Sequence, residues 1–225
     1  MTDNTQSLNS DIAAMAEKEF EGVYGRYRIT STDELEVQRY RLALLLCGVA
    51  FTAGLGQWLM LGPTWAWLWL LPMSIGLGLA LNWIHIYLRP LHQALKLLWA
   101  LGCLGAVVMA WSIGTDTMLS TVAAQPAWTW AIGPLFAALT GVGFKEFFCF
   151  GRPEAIGLTL LIPIALLGHL SGVMSGSIVM GLLGSAALLL LVLALRKFGM
   201  DAAADVGDKS VFAYLLSLIH ISEPT

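Results

Sequence analysis

Two short stretches of this 225-residue chain carry most of the residue types that do chemistry. HIYLRPLHQALK, residues 85–96, supplies His85, Arg89 and His92, and FKEFFCFGRPEA, residues 144–155, supplies Lys145, Glu146, Cys149, Arg152 and Glu154. Imidazole, thiolate and carboxylate are acceptable ligands for zinc or iron, but the spacing fits no standard metal signature, and it names neither a metal nor a cofactor. Cys149 could act as a thiolate nucleophile with His85 or His92 beside it, because an imidazolium lowers a thiol's pKa. No third, orienting group can be named, so no catalytic residue is assigned. The simpler reading sends Lys145 and Arg152 to lipid headgroups, with Glu146 and Glu154 pairing with them. Phe147, Phe148 and Phe150 then bury at the interface while Gly151 and Pro153 turn the chain.

Three further polar residues, Gln57, Asn82 and His169, fall inside apolar runs. Gln57 and Asn82 read as interhelical glue. An ionisable group at membrane depth can mark a pathway, but a neutral His169 bonded to a neighbouring helix is the preferred reading. Arithmetic argues against a haem between His85 and His169: one lies near the inner end of a span and the other about 13 residues above an inner start, roughly 20 Å higher at 1.5 Å per residue. No acidic residue sits in the core of any span, which argues against a proton pump built on a buried carboxylate.

The elements that position these residues follow from composition. With 57% hydrophobic and only 12% charged residues, the chain belongs in lipid, and its net charge of −3 matters less than where the charges fall. Stretches of about 20 uncharged residues, enough to cross a bilayer core, occur near 42–61, 65–88, 95–113, 127–144, 156–174 and 176–196. Backbone amides inside lipid must be bonded internally, so these spans are expected to be helices. Cys47, Cys103 and Cys149 are odd in number, lack any CxxC spacing and imply no disulfide framework.

Basic residues cluster before the first span, in the second and fourth connections, and after the sixth span; connections one, three and five carry none. Six crossings with both ends cytoplasmic satisfy the positive-inside rule at every loop. Trp58, Trp65, Trp67, Trp69, Trp111, Trp128 and Trp130 then fall at outer ends, at headgroup depth. Small residues at helical spacing predict close packing, at Gly133, Ala137 and Gly141 on the fourth span, and more weakly at Gly76 with Ala80 and Gly181 with Ser185.

The organisation read from these patterns is a polar N-terminal cytoplasmic segment at 1–41, a six-span domain at 42–196 and a cytoplasmic C-terminal segment at 197–215. Residues 216–225, LSLIHISEPT, read as a translated sequencing adapter, with the native end expected elsewhere. DIAAMAEKEF, residues 11–20, is amphipathic, and YGRYRIT, residues 24–30, has an extended pattern. Ser31 to Glu34 offers a capping box for a helix running into the first span, with Arg39, Tyr40 and Arg41 as interfacial anchors. The acidic N-terminal region resembles neither a cleavable signal nor an acid-poor transit peptide.

YGRYRIT, EVQRYRLALLL, HIYLRPLHQALKLLWALG, KEFFCFGRPEA and LLGHL together resemble a family of predicted integral membrane proteins, domain of unknown function 2301, over approximately residues 24–195. The resemblance implies several spans and a cyanobacterial or plastid-lineage membrane, plasma or thylakoid, and brings no active site with it. The fold expected is therefore all-α, a polytopic six-helix transmembrane bundle. Its partners are the lipid bilayer and other membrane subunits, with no nucleic acid. A non-enzymatic assembly or stability factor for a membrane complex is the leading function. A small-solute transporter or channel, and a membrane enzyme using the His/Glu/Cys cluster, are the alternatives.

Overall fold

The computed structural model describes residues 18–86, 88–211, 214 and 217. Most of the amphipathic N-terminal stretch and nearly all of the adapter-like C-terminus lie outside the described residues. The chain divides into two compact units, one made of Met1–Gln38 with Asp201–Thr225 and the other of Arg39–Met200.

The smaller unit joins both ends of the chain. Strands β1 (Lys18–Gly22) and β2 (Gly25–Ile29) pair antiparallel, with Lys18 opposite Ile29 and Gly22 opposite Gly25. The alternating pattern of YGRYRIT thus forms a strand, adding a hairpin to the helices among the described residues. Phe20 stacks on Tyr27 at 5.6 Å, and Ile29 and Val37 bury against Val206 of the short helix Ala202–Val206. The hairpin turn is held from the C-terminal side, where Asp208 accepts from the Val23 amide at 2.7 Å and Ser210 Oγ accepts from the Tyr24 amide at 3.0 Å. Lys209 donates to both oxygens of Asp33, at 2.9 and 2.7 Å.

Helix α1 (Ser31–Leu61) begins one residue earlier than the expected capping box implies. Thr30 is the cap: its Oγ1 accepts from the Asp33 amide, and the Asp33 carboxylate accepts from the Thr30 amide at 2.7 Å. Aspartate serves at this third helical position as glutamate would, because the box needs only a carboxylate reaching back to the cap amide.

The larger unit contains the rest of α1 and six further helices: α2 (Trp67–Trp83), α3 (Arg89–Ile113), α4 (Thr115–Ala124), α5 (Thr129–Phe150), α6 (Pro153–Leu170) and α7 (Gly176–Lys197). A 3-10 turn, Pro126–Trp128, leads into α5. With α1, α3, α5, α6 and α7 long and apolar enough to cross a membrane, the protein is a helical integral membrane protein. The second expected span is shorter than the sequence suggested: α2 has 17 residues and leaves helical geometry at Ile84, where ψ is 130°. The third connection, read as a loop, contains α4.

Helix α3 packs on α5, and α6 packs between α5 and α7. Glycines set the closest approaches. A Cβ at Gly76 would lie 2.8 Å from the Ala43 oxygen and the Cys47 nitrogen, so the small-residue spacing expected on α2 is used against α1. At Gly102 and Gly105 of α3 a side chain would run into the backbones of Leu135 and Ala131, a contact that the sequence pattern did not single out. The centre is hydrocarbon, with Leu44, Leu77, Leu139, Leu158 and Leu190 fully buried. Leu97, Leu101, Leu104 and Val108 of α3 are instead exposed, as suits a helix face in lipid.

Candidate functional site

FKEFFCFGRPEA is mostly helix. α5 continues through Phe150 and ends at Gly151, whose φ of 60° is left-handed and cheap only for glycine. Its amide closes the helix on the Phe147 carbonyl at 2.7 Å. Arg152 is then extended before Pro153, as a residue preceding proline prefers, and Pro153 opens α6 with a ring already suited to a helix start. This turn carries Lys145 and Glu146 on the end of α5 and Glu154 on the start of α6.

Glu146 is 0% exposed, although it belongs to a charged residue type that is almost never fully buried without a partner. Its partners come from three helices. Tyr40 of α1 donates its hydroxyl to Oε1 at 2.7 Å, Lys145 reaches Oε1 at 3.2 Å, and Lys197 at the end of α7 reaches Oε2 at 2.6 Å. Both ammonium groups also lie over aromatic faces: Lys145 is 4.9 Å and Lys197 is 4.6 Å from the Phe150 centroid, and Tyr40 flanks both. Desolvated cation–π contacts of this kind contribute about 2 kcal/mol each. The cluster is a buried clasp of one carboxylate, two ammoniums and two rings.

These positions revise the expected roles. Lys145 does not reach outward, being only 7% exposed, and Tyr40 is buried rather than interfacial. Glu154 pairs not with Arg152 but with Arg196, whose Nη1 lies 3.1 Å away. Arg152 is half-buried at the turn, while Arg89, at the first residue of α3, is exposed. His92 donates from Nε2 to the Leu81 carbonyl at 2.6 Å, satisfying one of the last carbonyls of α2. His85 is half-buried in the segment between α2 and α3, and Cys149 is exposed near the end of α5. Among the described residues, His92, Glu146 and Cys149 form no ligand group of metal-binding size.

The embedded polar residues also have definite places. Gln57 accepts from Trp69 Nε1 at 2.6 Å, tying α1 to α2, and Asn82 is exposed on α2. His169, near the end of α6, donates from Nε2 to the Val122 carbonyl of α4 at 2.8 Å.

Tyr40 and Lys197 are the functional-cluster residues that sequence reasoning missed. A signal for one of them was present. A glutamate at the end of an apolar helix needs a cation from a neighbour, and Arg196 with Lys197 closes the other span ending at the same level.

Among curated proteins and among solved structures no match to the chain was found. The profile of the family described as "Uncharacterized integral membrane protein (DUF2301)" matches residues 79–214, a segment holding the His92 cap, the Gly151 turn, Glu146 and Lys197. The match spans more than half of the chain, and with the apolar helices described above it establishes that this protein belongs to the DUF2301 family of integral membrane proteins.

Proposed function

We propose that the protein is a non-enzymatic factor that helps assemble or stabilise a larger complex in a bacterial plasma membrane or a thylakoid, crossing the bilayer six times with both ends cytoplasmic. One observation carries this reading. The glycines of α2 and α3 are spent on internal contacts, whereas a Cβ at Gly181 or Gly184 of α7 would meet nothing within 4 Å, and Gly181 and Ser185 are exposed one turn apart. Small residues on an outward helix face let a partner helix approach closely in lipid. The cationic residues at the helix ends that carry the clasp supply the positive-inside side of the arrangement.

The competing readings have less support. A solute path needs polar groups joining Gln57, Asn82 and His169, yet Gln57 and His169 are engaged in separate contacts and the centre of the bundle is filled with leucine. Enzymatic use of Glu146 would require an available oxygen, and both are occupied by Tyr40 and the two lysines.

Purification from the native membrane in a mild detergent tests the proposal. Wild-type protein is expected to co-migrate with other membrane subunits, and Gly181→Leu with Ser185→Leu to release them while leaving the melting curve unchanged. A lone monomer in both cases contradicts it.

A further inference from the structure

The outward side of α3 carries a pattern that the packing of the bundle does not use. Leu95, Gly102 and Gly105 seat this helix on α5. At about 100° per residue, Arg89, Gln93, Lys96, Ala100, Leu104 and Val107 fall within about 80° of one another on the opposite side. All six are exposed. The first three are polar and the last three apolar, so the stripe changes character once along its length.

Among the described residues neither cation of the stripe has a counter-charge. The side chains of Arg89, Gln93 and Lys96 make no hydrogen bond or ion pair, and α3 contains no Asp or Glu. Other cations of the bundle are engaged: Lys145 and Lys197 share Glu146, and Arg196 meets Glu154. Arg89 also opens α3, at the helix end whose dipole disfavours a cation and favours an anion. Arg89 and Lys96 are seven residues apart, about 10 Å along the axis, so two long side chains can close on one headgroup. From Lys96 to Val107 the helix rises about 16 Å, which matches one leaflet of a hydrocarbon core about 30 Å thick.

We propose that this stripe seats one anionic glycerophospholipid, its phosphate held between Arg89 and Lys96 and an acyl chain lying along Ala100, Leu104 and Val107. Guanidinium and ammonium both donate charge-assisted hydrogen bonds to phosphate oxygens, and Gln93 adds an amide donor between them. A zwitterionic headgroup would bring its own ammonium against the two cations. A free phosphate would leave the apolar half of the stripe without a purpose. A partner helix would have to bury both cations, and close helix approach in lipid favours small residues over Leu104 and Val107. The inference rests on α3 crossing the bilayer and not on the assembly role, which concerns the face of α7.

Photo-crosslinking of the full chain in phosphatidylcholine nanodiscs tests it. The probe is trace phosphatidylglycerol with a diazirine in its acyl chain, and the control is phosphatidylcholine with the same chains. The anionic probe is expected to label the α3 peptide more strongly than the control does. At trace probe, labelling follows affinity, so Arg89→Gln or Lys96→Gln should each cut it about fivefold and the two together about thirtyfold. Arg89→Lys keeps the charge and should keep most of the labelling, while labelling by the control should be the same in every variant, as a check on the fold. Arg26→Gln with Arg28→Gln removes the same charge from the hairpin and should change nothing, which separates a seat on α3 from general attraction. The proposal is overturned if both probes label α3 equally, if the hairpin variant loses as much as the α3 variant, or if neither probe labels α3, as a covering protein would cause.

Discussion

Glu146 of α5 and Lys197 of α7, 51 residues apart in sequence, meet at 2.6 Å with both side chains 1% exposed. A contact so deep between charges is costly to desolvate, and its value lies in what happens when one partner is lost. Lys145 and Tyr40 satisfy the other carboxylate oxygen, so the three helices are held in a single arrangement by one group.

Lys197→Met should therefore destabilise the protein by about 3 kcal/mol, toward the low end for a broken buried pair because Lys145 still faces the carboxylate. Glu146→Gln, which leaves two ammoniums without a counter-charge, should cost more. Replacing Glu146, Lys145 and Lys197 together with apolar residues of similar volume should recover most of the loss. Melting temperatures in detergent would show the order, and a Lys197→Met protein as stable as wild type would remove the clasp from the account.

Tyr40→Phe isolates the hydroxyl. The ring stays to flank both lysines while the bond to Oε1 is lost, so a cost of about 1.5 to 3 kcal/mol is expected, as for a hydrogen bond to a charged group. An unchanged midpoint would mean that the tyrosine contributes only its ring.

The glycines divide into two classes with opposite expected phenotypes. Gly105→Leu drives a side chain into the Ala131 backbone and should prevent α3 from seating on α5, read as loss of the folded peak in size-exclusion chromatography. Gly181→Leu points into open space and should leave that peak intact. Equal damage from both would show that the α7 face is already covered within the chain.

What was legible in the sequence was local. Apolar runs of membrane length, the Gly151–Pro153 turn and the alternation of YGRYRIT each depend on neighbours a few residues away, and each has its counterpart in the structure. The extent of α2 was overread because apolar composition continues past Ile84 while the backbone does not. The partners of Glu146 were not legible, since they depend on which helix ends come together. Lys197 read as a topology signal and Tyr40 as an anchor, and only the packing of α1, α5 and α7 makes them one cluster.

Outside the bundle, Asp208 gives the hairpin a pH dependence. Its carboxylate accepts from the Ser210 hydroxyl at 2.6 Å and from the Val23 amide at 2.7 Å, which together hold its carboxyl below the usual range. A depressed folded value means the stabilisation is complete above the ordinary aspartate value of about 3.9 and is lost as pH falls through the lower, folded value. The Val23 amide resonance should accordingly hold steady down to about pH 4 and move only below it. In Asp208→Asn the acid transition should vanish. A midpoint at or above the ordinary value would contradict the bonding described.

On the proposed six-crossing topology, the residues of the clasp and its neighbouring turns share one side of the membrane. Cysteines introduced one at a time at Arg89 and Arg152, in a Cys149→Ser background that leaves only buried Cys47 and half-buried Cys103, should react with a membrane-impermeant thiol reagent from the same side of sealed vesicles, with a cysteine at Asp116 reacting only from the other. Labelling of the Arg89 and Arg152 positions from opposite sides would overturn that topology.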